Sequence, residues 1–131
     1  MKTFLVTGIG GPAGTNVSRL LLARGHRVTG TDMQALSPAN MRFFRVPEAH
    51  DTGFLLAVRT VAEQEAVDWI IPTVSEELPV FAGRWEWGQK IPVLVSSARA
   101  VEIADDKYLT AQALSSAGVP VPRFVLPSQV H

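Results

Sequence analysis

TGIGGPAG (7–14) follows the apolar run FLV (4–6) and places glycines at 8, 10, 11 and 14. A backbone with so many glycines turns tightly and admits a close neighbour. The residues after it, GTNVSRLLLARG (14–25), put Val17, Leu20, Leu21 and Arg24 at helical spacing, and Gly25 stands where a helix would end. A second short apolar stretch, RVTGT (27–31), comes next. Strand, glycine turn, helix and strand thus fit within the first thirty or so residues, the layout of a parallel crossover unit. Two physical readings of the turn stay open. A helix N-terminus offers free N–H groups and a positive dipole end, so the loop could cradle an anion. Alternatively, the glycines only let helix and strand pack closely.

Further runs extend the pattern. WIIPT (69–73) and PVLVS (92–96) are apolar enough to be strands covered on both faces. GFLLAVRTVAEQ (53–64) predicts a second helix with Leu55, Val58, Ala62 and Leu56 facing inward, and a third begins near Ser75. Between Pro38 and Pro47 the segment MRFFRV (41–46) is a candidate short strand. SARAVEIA (97–104) reads as a short helix and DKYLTAQALSSAG (106–118) as a longer one, capped by Asp105 or Asp106 and ended by Gly118. Alternating strands and helices predict an α/β fold, a Rossmann-like doubly wound parallel sheet of about four or five strands with helices on both faces.

The chain has 131 residues, 47% of them hydrophobic and 18% charged, enough for one sizeable core. Twelve basic and twelve acidic residues cancel without forming blocks, which argues against a nucleic-acid partner. There is no cysteine, as suits a reducing compartment, so a cytoplasmic location is the default expectation. The apolar run near the N-terminus is too short for a membrane span. His26 follows the capping Gly25 and is expected to be exposed. His50 and Asp51 have no third ligand nearby, so no metal site is expected.

The glycine spacing fits TGxxGxxG and resembles the dinucleotide loop of short-chain dehydrogenase-like proteins. In that resemblance Asp32, at the end of the second strand, is the ribose-binding acid and NAD(P) the cofactor. Two departures weigh against it. Pro12 has no N–H to give a pyrophosphate, and Tyr108, the single tyrosine, is followed four places later by Gln112 where that family's catalytic pair needs lysine.

The second half carries a more specific likeness. IIPTVSEEL (70–78), PVLVSSARAVEIADDKYLTAQALSSAGVPVP (92–122) and the opening FLVTGIGGPAGTNVSRLLLARGHRVTGTD (4–32) together resemble the pre-ATP-grasp domain of ATP-grasp carboxylate-amine ligases. Biotin carboxylase and carbamoyl phosphate synthetase carry the same domain. The likeness covers nearly the whole chain, and its most specific part is Asp106-Lys107, a helix, then Gly118-x-Pro120-x-Pro122. It implies a pre-ATP-grasp domain over 1–104 and a lead-in to an ATP-grasp core over 105–131. It implies ATP with magnesium, held mainly by later lobes, and a small carboxylate substrate. Lys107 matches the position whose cation reaches the ATP phosphates. The remaining lobes of the enzyme are the implied partner, and a second copy of the chain is another. The family's glycine-rich ATP loop, second lysine and magnesium-binding acids have no equivalents here, so this chain by itself is expected to be inactive as a ligase.

Gly8, Gly10, Gly11, Gly14, Glu76 and Glu77 are the candidate wall of a substrate site. Both acids follow a strand at its carboxyl end, where open parallel sheets bind ligands. The competing structural reading makes Ser75 an N-cap and the acids partners of a helix dipole. Leu78, Phe81 and Trp85 form a helical stripe that reads as core. Trp87 lies off it, at a rim or an interface. A non-catalytic interaction module that keeps the fold without the ligand is a further reading.

Overall fold

The computed structural model describes residues 1–85 and 90–129, in two compact units, Met1–Val95 and Ser96–His131. Trp87 falls outside the described residues.

The first unit is a four-stranded parallel sheet, β1 (Thr3–Thr7), β2 (Arg27–Asp32), β3 (Arg42–Arg45) and β4 (Trp69–Ile71), ordered β3-β2-β1-β4. Helices α1 (Pro12–Ala23), α2 (Phe54–Gln64) and α3 (Leu78–Arg84) connect and cover it. It is a Rossmann-like α/β sheet. β4 ends at Ile71, ahead of Pro72, which has no N–H to continue a ladder. The stretch 92–96 is not a full strand: Val93 makes one isolated parallel bridge to Ile70, with Ile70 N–H donating to Pro92 O and Leu94 N–H to Ile70 O.

Successive residues of β1 point to opposite faces, so the sheet has two cores. Leu5 faces a cluster with Phe54, Val58, Val61, Ala62, Ile70 and Phe81, which is the α2 and α3 side. Val6 faces Ile9, Val28 and the half-buried Val17 and Leu21 of α1. Phe81 stacks against Phe54 and Trp85, each at 5.6 Å between ring centroids, so the Phe81 and Trp85 stripe belongs to the core.

Two helical positions turn out differently from the spacing. Leu20 is 50% exposed and Leu56 is 68% exposed. The inward face of α1 is instead built around the buried Gly14 and Ser18, and that of α2 around Phe54, Val58, Val61 and Ala62. Leu20, two residues on from Ser18, lies about 200° around the helix from it and so points away from the sheet.

The second unit contains α4 (Ala98–Asp105), α5 (Lys107–Ser116) and a tail ending in a 3₁₀ turn (Pro127–Gln129). Ser97 caps α4 through Ala100 N–H, and the Asp106 carboxylate caps α5 through the amides of Tyr108 and Leu109. Tyr108 and Phe124 meet edge to face at 5.4 Å. No helix among the described residues is long and apolar enough to cross a membrane.

Candidate functional site

The chain runs from β1 outward to β2 and β3, then returns to pair β4 with the other side of β1. The order therefore reverses between β1 and β4, and ligands of such sheets bind beyond the carboxyl ends of the strands at that point. A cleft of about 480 Å³ lies there.

Its floor is the glycine turn. Gly8 sits at φ +62°, and a Cβ placed on it would fall 2.2 Å from Val74 Cγ2, so the turn requires glycine. Gly11 N–H donates to Gly8 O at 3.1 Å, closing the turn. Pro12 is the first residue of α1, where a missing N–H costs the helix nothing. The same proline removes one donor from the anion-binding end of the helix. Gly14 lies beneath the turn rather than in the cleft, packed on the Gly8 carbonyl.

One wall is Asp32 at the end of β2. Its carboxylate accepts from Gly10 N–H at 2.9 Å and from Gln34 N–H at 3.0 Å, and so is fixed by two backbone donors. The facing wall comes from the segment after β4. Ser75 does not cap a helix with its side chain: 75–77 is a 3₁₀ turn, and α3 starts at Leu78 with Pro79 in its first turn. This tighter turn swings Glu77 inward, where it is 6% exposed and accepts a hydrogen bond from the Thr7 hydroxyl. Glu76 stays exposed at the mouth.

Thr7 and Thr73 were not legible as site residues, yet they join the two walls. Thr73 N–H donates to Thr7 Oγ1 at 3.3 Å and Thr73 Oγ1 to Thr7 O at 2.6 Å, tying the ends of β1 and β4 together. The one available signal was a threonine ending each of two apolar runs. Glu48 and His50 line the rim from the loop before α2. Gly8, Gly11, Asp32, Glu76 and Glu77 therefore share one cleft, with Gly10 behind Asp32, whereas Lys107 belongs to the second unit.

Burial pushes the Glu77 carboxyl up from its ordinary value of 4.5 to about 7. The Thr7 hydroxyl works against this shift, and the nearby Asp32 and Glu76 charges add to it. A folded-state pKa above the unfolded one means that the native protein holds the extra proton between the two values. Stability then falls as pH rises from about 4.5 to about 7. Glu77→Gln, which keeps an acceptor for Thr7, should remove that loss, raising stability at neutral pH relative to acid pH by roughly 2 to 3 kcal/mol. Urea melts of both proteins at acid and neutral pH measure this, and parallel pH profiles would refute it.

The chain matches no family profile and no curated protein. Among solved structures it is similar to N5-carboxyaminoimidazole ribonucleotide synthetase from Thermotoga maritima, at 22% identity and a TM-score of 0.68 over 94% of this chain and 33% of that one. It is similar to glycinamide-RNase-transformylase T from Mycobacterium tuberculosis at 16% identity and a TM-score of 0.65, over 91% of this chain and 36% of that one. A shorter likeness, 56% of this chain and 26% of the other at 27% identity and a TM-score of 0.46, is to the Bordetella bronchiseptica enzyme WbmH in complex with NAD⁺. The first two likenesses establish the Rossmann-like fold over nearly the whole chain. In all three, this chain spans about a third or less of the matched protein's length.

Proposed function

We propose that the chain is the N-terminal, substrate-side domain of an ATP-dependent ATP-grasp ligase that joins a carboxylate to an amine or another nucleophile. The observation that carries this reading is the Asp106-Lys107 phrase, with its Gly118-x-Pro120-x-Pro122 exit. The structure gives the phrase a physical form. Because Asp106 caps α5, Lys107 is the first helical residue; it is exposed and takes part in no ion pair among the described residues. An ammonium group on a long stem, held in solvent by a capped helix, suits contact with phosphate oxygens. The fold agrees, since a synthetase and a transformylase share it across more than nine-tenths of the chain.

ATP supplies the phosphoryl group that activates a carboxylate toward its nucleophile. Lys107 would steady its phosphates, while magnesium would be held by other lobes. Among the described residues, no group of three or more His, Asp or Glu is placed to bind a metal. The glycine-turn cleft would then hold a substrate rather than the nucleotide.

A second reading, NAD(P) binding at the same turn, rests on Asp32, which lies at the end of β2 and on the wall of the cleft. Calorimetric titration of the native gene product with ATP plus magnesium and with NADP separates the two. ATP should bind, NADP should not, and Lys107→Ala should weaken ATP by about tenfold or more without lowering the melting temperature. NADP binding that depends on Asp32, with ATP ignored, would overturn the ligase reading.

A further inference from the structure

Two buried hydroxyls find no hydrogen-bond partner among the described residues, Thr31 Oγ1 in β2 and Ser18 Oγ in α1. Ser18 also lines a cavity. A serine inside a helix ordinarily donates to the carbonyl four residues back, here that of Gly14. Ser18 does not, although it is 1% exposed. A hydroxyl taken out of water and left without a partner is destabilising unless something fills it.

The cavity, of about 590 Å³, lies between α1 and residues 38–41, the segment leading into β3. Its size falls within the range of small-molecule sites. Ile9, Leu22, Pro38 and Met41 give it apolar walls. The Thr15 hydroxyl is already spent on Ile9 O, at 3.0 Å. Arg19 is the one charged residue of the lining, and no acid joins it. One of its N–H groups donates to Asn16 Oδ1 at 3.0 Å, and it takes part in no ion pair among the described residues. Its guanidinium is thus steadied from one side, with further N–H donors left over. An unfilled hydroxyl, an unpaired cation and an apolar wall meet at one place.

We propose that this cavity binds a small aliphatic carboxylic acid as its anion, the chain lying on Ile9, Leu22 and Met41 and the carboxylate met by the Ser18 hydroxyl and the Arg19 guanidinium. One guanidinium balances one negative charge, which favours a monocarboxylate over a phosphate ester. The site is separate from the glycine-turn cleft, because the two share no lining residue. It goes beyond the ligase reading and does not depend on it.

The test uses two probes of one shape and opposite charge, hexanoate and hexylammonium, titrated into the full chain without ATP. Binding is followed by NMR at the methyl groups of Ile9, Leu22 and Met41. Hexanoate should shift these methyls saturably, and hexylammonium should not. Ser18→Ala should weaken hexanoate about three- to tenfold while leaving the melting temperature unchanged or raised, since alanine removes an unpartnered hydroxyl and is the better helix former. A lowered melting temperature would instead give the hydroxyl a structural role, and would overturn the proposal. Arg19→Gln, at an exposed position, should weaken hexanoate about threefold or more with the fold intact, and so tests the site even if the serine variant folds poorly. Hexylammonium binding as tightly as hexanoate, no saturable shift with hexanoate, or hexanoate affinity indifferent to both substitutions would also overturn it. ATP binding through Lys107 is read by a separate titration, so the two readings fall separately.

Discussion

Gly14→Ala is expected to destabilise the chain by about 3 kcal/mol, lowering its melting temperature by roughly 10 °C. The sign is the informative part. In an exposed helix interior the same change stabilises by up to about 1 kcal/mol, because alanine is the better helix former. Here a Cβ would lie 2.3 Å from the Gly8 carbonyl oxygen and 2.8 Å from Ile9 Cα. Both obstacles are backbone and cannot rotate aside, so α1 must lift from β1 or the glycine turn must deform. Either movement opens the floor of the cleft, and a thermal melt should show the loss. An unchanged or raised melting temperature would mean that α1 is not pressed against the turn.

Phe54→Ala should cost about 3 to 5 kcal/mol, a large share of the 5 to 15 kcal/mol that keeps a typical domain folded. Phe54 is 1% exposed and meets Phe81 edge to face, so truncation leaves a cavity between α2 and α3. Two positions along the same helix, Leu56 is 68% exposed, and Leu56→Ala should change stability by no more than about 0.5 kcal/mol. Denaturant melts of the pair check which face of α2 is buried. Equal losses would place the helix in a different rotation.

The sheet's first two strands were legible because β1 and β2 are unbroken runs separated by a helix with clear limits. Other elements were less so. The run 92–96 is as apolar as β1, yet it makes one bridge, since strand formation depends on a partner edge as well as on propensity. Leu56 has the composition of a core residue, and helical spacing alone allows two neighbouring stripes. The cleft was legible as far as its glycines, Asp32 and the paired acids. Which acid turns inward was not, because that depends on a 3₁₀ turn in place of a capped α-helix. The threonine contacts bridging β1 and β4 join residues 66 apart in the chain, and no local pattern carries that information.

The strand order also bears on how the protein emerges from the ribosome. β1 is made first but is central, with β2 on one side and β4 on the other. Its partner Arg27 to Thr31 follows soon after, whereas the pairing of Phe4, Leu5 and Val6 with Trp69, Ile70 and Ile71 waits until synthesis has passed β4. Until then one edge of the sheet's middle strand is bare, with open N–H and C=O groups beside the most apolar residues of the fold. The nascent chain is therefore most exposed to wrong partners during translation of the segment from β2 to β4, and a pause in that interval would lengthen the exposure.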